Sequence, residues 1–261
     1  MNSERFEMGI TEAELSVMTT HLDEMHRASL PALREHIDRV VEHNREQRSR
    51  PIARRGVLAG GLTLVGAGAL AACGSSKSST VPATPSSTAA SGGSYTGDLK
   101  VVALAAALEN LAVAAYGMAL QAAQAGTFGP VPPAIATFVT TAQSHHMQHA
   151  AGWNAVLTGA GAPAVTTPAL SITDAQVAQL KAAKTLPAVA TLALGLESAA
   201  AQTYTFATSA VHSGNGVQVA ATIAPVEAQH AAILAFVLGQ YPAPDAFLKT
   251  TGAVPLSAFT G

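Results

Sequence analysis

The chain has 261 residues, 49 % hydrophobic and 11 % charged, a composition that can bury a sizeable core and is far from that of a disordered polymer. A formal net charge of −2 gives no chain-wide positive field, which argues against a nucleic-acid groove or a polybasic membrane patch. The single cysteine, Cys73, excludes a disulfide framework and any multi-cysteine zinc or iron–sulfur site within one chain.

Charge is spread unevenly. All nine arginines and ten of the sixteen acidic residues lie in residues 1–55, whereas residues 98–261 contain only three glutamates, Glu109, Glu197 and Glu227. Helical bodies ordinarily place Glu freely on their surface, so three isolated glutamates in so apolar a body call for a specific role.

Residues 1–53 read as a charged leader. Its apolar positions, Leu15, Met18, Leu22 and Met25, then Leu33, Ile37, Val40 and Val41, recur at helical spacing and are interrupted by Pro31, which predicts two short amphipathic helices. Asp23-x-x-His26 has the spacing of a ligand pair. On a charged leader it reads as coincidence, as do His21, His36 and His43.

Residues 54–73 have the order of an export signal, Arg54-Arg55 followed by the seventeen uncharged residues 56–72. That run is short for a bilayer span, which takes about 20 apolar residues. Leu70-Ala71-Ala72-Cys73-Gly74 resembles the lipobox of bacterial lipoproteins, whose cysteine is acylated and becomes the mature N-terminus. Arg54-Arg55-Gly56-Val57-Leu58 resembles a twin-arginine export signal. These resemblances imply a cell-envelope protein held by a lipid on Cys73 at the outer face of the cytoplasmic membrane. The alternative is an uncleaved anchor that keeps residues 1–72. Residues 74–97 are a Ser/Thr/Pro/Gly/Ala tract too poor in apolar side chains to order itself, and read as a tether.

Apolar spacing then predicts four long helices, at about 99–125, 134–158, 187–212 and 217–239, within a bundle spanning 98–240. The first and last connections are short, and the middle one, 159–186, is long enough to carry a short helix starting at Thr173-Asp174. The expected fold is all-α: a four-helix bundle with a long crossover between the second and third helices. Residues 241–261 read as an extended tail that packs on the bundle or on a partner.

The body repeats itself. His146-Met-Gln-His149-Ala-Ala recurs 81 residues later as Glu227-Ala-Gln-His230-Ala-Ala, and Leu108-Glu109-x-x-Ala112 with Tyr116 matches Leu196-Glu197-x-x-Ala200 with Tyr204. Each half supplies a lone Glu on its first helix and an i,i+3 pair on its second, and such a pair lies on one helical face. A glutamate among Ala, Leu and Val is costly unless a proton or a cation neutralises it.

This order, Glu, x-x-x-His, Glu, Glu-x-x-His, resembles the ferritin-like domain family, including its exported bacterial members. The resemblance covers about residues 99–244. It implies metal ligation by Glu109, His149, Glu197, Glu227 and His230, with His146 standing where di-iron members carry a carboxylate. The implied cofactor is iron, as a pair or mixed, with manganese or zinc as alternatives. The implied activity is a ferroxidase-like oxidation or handling of iron, with turnover in question because one carboxylate is replaced by imidazole. The other function open to the sequence is a non-catalytic envelope lipoprotein whose metal site is vestigial and whose charge-poor bundle docks a second copy or another envelope protein.

Of the remaining residues, His145, adjacent to His146, is expected at the bundle edge or facing solvent, and His212 is expected to cap the end of the third long helix. Tyr116, Tyr204 and Trp153 are expected to be core residues. Three converging carboxylates should repel one another, so removing Glu227 is expected to raise the stability of the metal-free fold.

Overall fold

The computed structural model describes residues 7–49, 95–243 and 248–261. Its elements in chain order are α1 (Glu12–Ser49), α2 (Asp98–Gln124), α3 (Pro133–Gly159), α4 (Thr173–Ala182), α5 (Leu186–Ala210) and α6 (Gly214–Val237), followed by a single 3-10 turn at Leu256–Ala258. Among the described residues the β-pairing consists of one isolated antiparallel bridge between Leu170 and Phe259. The lipobox, the twin-arginine pair and residues 74–94 of the tether fall outside the described residues, whereas Tyr95 at its end donates its hydroxyl to the Pro163 carbonyl.

Helices α2 and α3 form one antiparallel pair and α5 and α6 the other, with α2 also against α5, so the two sequence repeats become two hairpins enclosing one core. Local chemistry sets the helix starts. Pro133 occupies the first turn of α3, where a missing N–H costs nothing, and the Thr185 and Ser213 hydroxyls cap α5 and α6 by accepting from the N–H groups of Ala188 and Gly216. Helices α2 and α6 are each long and apolar enough to cross a bilayer by length and composition, and more than half of each apolar stretch is buried inside the bundle.

The crossover from α3 to α5 is pinned at Val165, whose carbonyl accepts from both Asn110 and Asn154 and whose N–H donates to Asn154. The C-terminal tail lies over the same region. Val254 N–H donates to the Thr203 hydroxyl, Ser171 N–H to the Ala258 carbonyl and Thr260 N–H to the Ala169 carbonyl.

The leader departs from expectation. In place of two short helices it is one helix of 38 residues that runs through Pro31. Pro31 is on the exposed side, whereas Leu15, Leu22, Leu33, Ile37 and Val40 are buried in a continuous stripe against α3 and α6. Docking of that stripe outweighs the hydrogen bond the proline removes. A reciprocal capping box opens the helix: Thr11 N–H donates to the Glu14 carboxylate at 2.8 Å and Glu14 N–H to the Thr11 hydroxyl at 3.2 Å.

Close approach to α3 uses two glycines one heptad apart. A Cβ on Gly152 would come 3.0 Å from Ile37 Cδ1, and one on Gly159 would come 2.5 Å from Val41 Cγ2, inside any allowed contact. The leader therefore belongs to the same core as the repeat. Leu22→Ala should cost about 2–5 kcal/mol, seen as a lower Tm of the full chain; an unchanged Tm would mean that α1 does not stay docked.

Candidate metal centre

At mid-height of the bundle, Glu109 from α2, His146 and His149 from α3, Glu197 from α5 and Glu227 and His230 from α6 converge, each at most 2 % exposed. All six metal-ligand residues expected from the sequence are therefore brought together. Potential ligand atoms of Glu109, His146, His149 and Glu227 lie within 4.8 Å of one another, and so do those of His146, Glu197, Glu227 and His230. The two groups share His146 and Glu227, the two residues that are equivalent in the 81-residue repeat.

His146 occupies the middle. Its Nδ1 is 2.8 Å from Glu109 Oε2 and its Nε2 is 3.0 Å from Glu197 Oε1, so one imidazole ties the lone glutamates of both halves together. His149 Nδ1 lies 2.8 Å from Glu227 Oε1, and His230 Nδ1 lies 3.1 Å from Glu227 Oε2 and 3.3 Å from Glu197 Oε2.

The tyrosines cross over between the halves. Tyr116, on the helix of Glu109, donates to Glu197, and Tyr204, on the helix of Glu197, donates to Glu109 at 2.5 Å. Each is a core residue, and each also fixes one carboxylate. Trp153 is buried beside Tyr204, with ring centroids 5.8 Å apart.

A second layer of polar residues comes from two that the sequence reading set aside. His145 is fully buried instead of facing solvent, because α1 covers that side of α3; its Nδ1 is 3.1 Å from His230 Nε2 and its Nε2 is 3.2 Å from Asp23 Oδ1. His26 of α1 is buried, stacks on His145 at 3.8 Å between centroids, and places its Nε2 3.1 Å from His149 Nε2. The Asp23-x-x-His26 pair is thus no coincidence: both residues meet the cluster from the leader helix. The outer nitrogens of His149 and His230 are held by His26 and His145, which leaves their Nδ1 atoms facing the carboxylates, the arrangement by which outer partners orient metal-binding imidazoles.

His212 does not cap α5 with its ring. The helix ends at Ala210, the imidazole is exposed, and the Asp98 carboxylate at the start of α2 accepts from the backbone N–H of His212 and Ser213 and from His212 Nδ1.

The electrostatics are mutually compensating. Burial pushes the Glu109 carboxyl above its ordinary range, reinforced by Glu227. Burial acts the same way on Glu197 and Glu227, but His146 with His230 outweighs it at the first, and His146 with His149 outweighs it at the second, so both are held below the ordinary range, Glu227 well below. Burial disfavours the charged form of His146 and His230 too, yet the adjacent carboxylates prevail, raising His146 well above its ordinary value and His230 to about 9. Farther out the balance reverses. Burial, with neighbouring histidines, lowers His26 to about 3 and His145 to about 4.

Two imidazolium rings thus neutralise carboxylates in the metal-free core. Glu227 is more than a repulsive charge: it lies within hydrogen-bonding distance of His149 and His230, and its removal would take a partner from both buried rings.

The ferritin-like domain family model matches residues 97–240, more than half of the chain, and the chain belongs to that family. No curated protein and no solved structure matches it. The fold is an all-helical ferritin-like bundle, and its buried carboxylate and histidine groups are compatible with a metal site.

His230, with a folded value near 9 against an ordinary 6.5, contributes stability that is fully present below pH 6.5 and is lost as pH rises through 9. With chelator present, the Tm of the full chain should therefore fall between pH 6.5 and 9, and His230→Gln should flatten that fall. An equally steep fall in the variant would contradict the pairing.

Proposed function

We propose that this chain is an exported, lipid-anchored ferritin-like protein whose core cluster holds one or two divalent first-row metal ions, iron foremost, with manganese or zinc as alternatives. The observation that carries the reading is the pair of overlapping ligand groups, each with two carboxylates and two imidazoles, all of them buried. Glu109 and His149 would serve one ion, Glu197 and His230 the other, with His146 and Glu227 within reach of both. An iron pair, when bound, would supply electron transfer from Fe(II) to oxygen or peroxide.

The chain's own residues set the terms of that chemistry. Tyr116 and Tyr204 hold Glu197 and Glu109 in place. His26 and His145 orient the two outer imidazoles, and α1 closes the side of the cluster between α3 and α6. A cation entering the cluster must displace the protons on His146 and His230, so affinity should rise with pH. With three carboxylates and three imidazoles, the cluster is less anionic than one with four carboxylates, and this favours retention of divalent ions over a doubly oxidised pair.

The export reading rests on the sequence of residues 54–73. Helix α1 precedes that segment and packs against helices that follow it, which supports folding on one side of the membrane before export. This suits the twin-arginine route, which carries folded proteins. Cleavage before Cys73 would then take α1, with Asp23 and His26, away from the cluster. A mature N-terminal mass beginning at acylated Cys73 is expected, and Cys73→Ala should release the body from membranes; an intact residue 1 in the membrane fraction would favour the uncleaved anchor.

The full chain purified without chelator should contain iron, manganese or zinc. A divalent ion at a hundredfold excess over Kd should stabilise it by about 2.7 kcal/mol, read as a higher Tm, and Glu227→Ala and His230→Ala should each abolish the gain. A metal-free protein whose melting curve ignores added Fe(II), Mn(II) and Zn(II) would leave the docking lipoprotein as the function.

A further inference from the structure

Between the cluster and one end of the bundle the core is not filled. A cavity of about 90 Å³ begins at Glu109, His146 and Glu197 and extends along α2 toward the α2–α3 turn. Its origin is compositional: Ala112, Ala115, Ala119 and Ala123 recur on one face of α2, and Ala190 and Ala193 belong to α5, the helix packed against it. Where larger side chains would interdigitate, these alanines leave space. At roughly 10–15 Å³ of such space per water, the volume equals about six to nine water-sized groups. Away from the cluster the lining is apolar, so water there would lack partners and a polar guest would forfeit its hydrogen bonds.

At its outer end this cavity adjoins a second, wider one of about 470 Å³, and the two share Ala119, Phe128, Leu180 and Val189 as walls. The outer cavity is lined by Lys181 and Lys184 and by no acidic residue. Residues 98–261 contain four lysines, and two of them stand at this mouth. An apolar cavity behind a pair of ammonium groups matches one class of molecule on both counts.

We propose that this is a binding site for a single-chain anionic amphiphile, the alkyl chain lying between α2 and α5 with its far end toward the cluster and the carboxylate at Lys181 and Lys184. The chain would pass the shared walls, Ala119, Phe128, Leu180 and Val189. Binding draws on the alanine channel and the lysines alone and needs no metal, so it is measured with chelator present and stands or falls separately from the metal reading.

The probe is decanoate, below its aggregation concentration, titrated into the full chain by calorimetry, with decanol as the uncharged counterpart. Affinity should fall roughly fourfold for each methylene removed from the chain. Lys181→Gln with Lys184→Gln should weaken decanoate about tenfold and leave decanol unchanged. Ala193→Leu, which fills the channel, should abolish binding of both while helical circular dichroism stays intact. If Ala193→Leu fails to fold, Ala119→Val provides the same test with a smaller side chain. Absence of decanoate binding would overturn the proposal, as would equal binding by a folded channel-filling variant or a lysine variant that weakens decanol as much as decanoate.

Discussion

Three carboxylates buried in an alanine-rich bundle are the constraint on which this structure depends. Each would be expelled to solvent or forced to protonate unless a positive charge met it inside. The fold supplies that charge by bringing His146 between Glu109 and Glu197 and by setting His230 against Glu197 and Glu227. The bundle geometry follows, because four helices must each present one face at the same height for these groups to meet. The crossed tyrosine contacts, Tyr116 to Glu197 and Tyr204 to Glu109, lock the two halves in register.

The same constraint explains the leader helix. His149 and His230 have a second ring nitrogen, and it too is buried. His26 and His145 provide the partners, and Asp23 extends the chain of contacts toward the surface. A helix whose composition looks like a solvated leader is thereby drawn into the core, seated on Gly152 and Gly159. Any processing that removes it changes the environment of the cluster as well as the length of the protein.

Much of this was legible in the sequence, for identifiable reasons. The 81-residue repeat and the three isolated glutamates fixed the six cluster residues, because i,i+3 spacing on a helix translates directly into a shared face. The four bundle helices were visible as apolar stripes, three of them with proline or hydroxyl starts. What escaped was partnership. The stripe Leu15, Leu22, Leu33, Ile37, Val40 shows that α1 has an apolar face but not what that face meets. With that partner unknown, His145 was assigned to the edge and His26 to coincidence. The cue was present: a buried stripe that continues past Pro31 at unbroken spacing argues for one docked helix, and Asp23 and His26 lie along it. The alanine channel was also invisible, since facing alanines produce either close packing or a cavity depending on how far apart the helices lie.

The central claim is that the six converging side chains are a metal centre rather than a self-neutralised core. Anomalous diffraction from crystals of the full chain soaked in Mn(II) tests it most directly. The account predicts one or two peaks enclosed by Glu109, His146, His149, Glu197, Glu227 and His230, lost in Glu227→Ala. Peaks confined to surface groups such as Asp98 with His212, and none in the core, would contradict it.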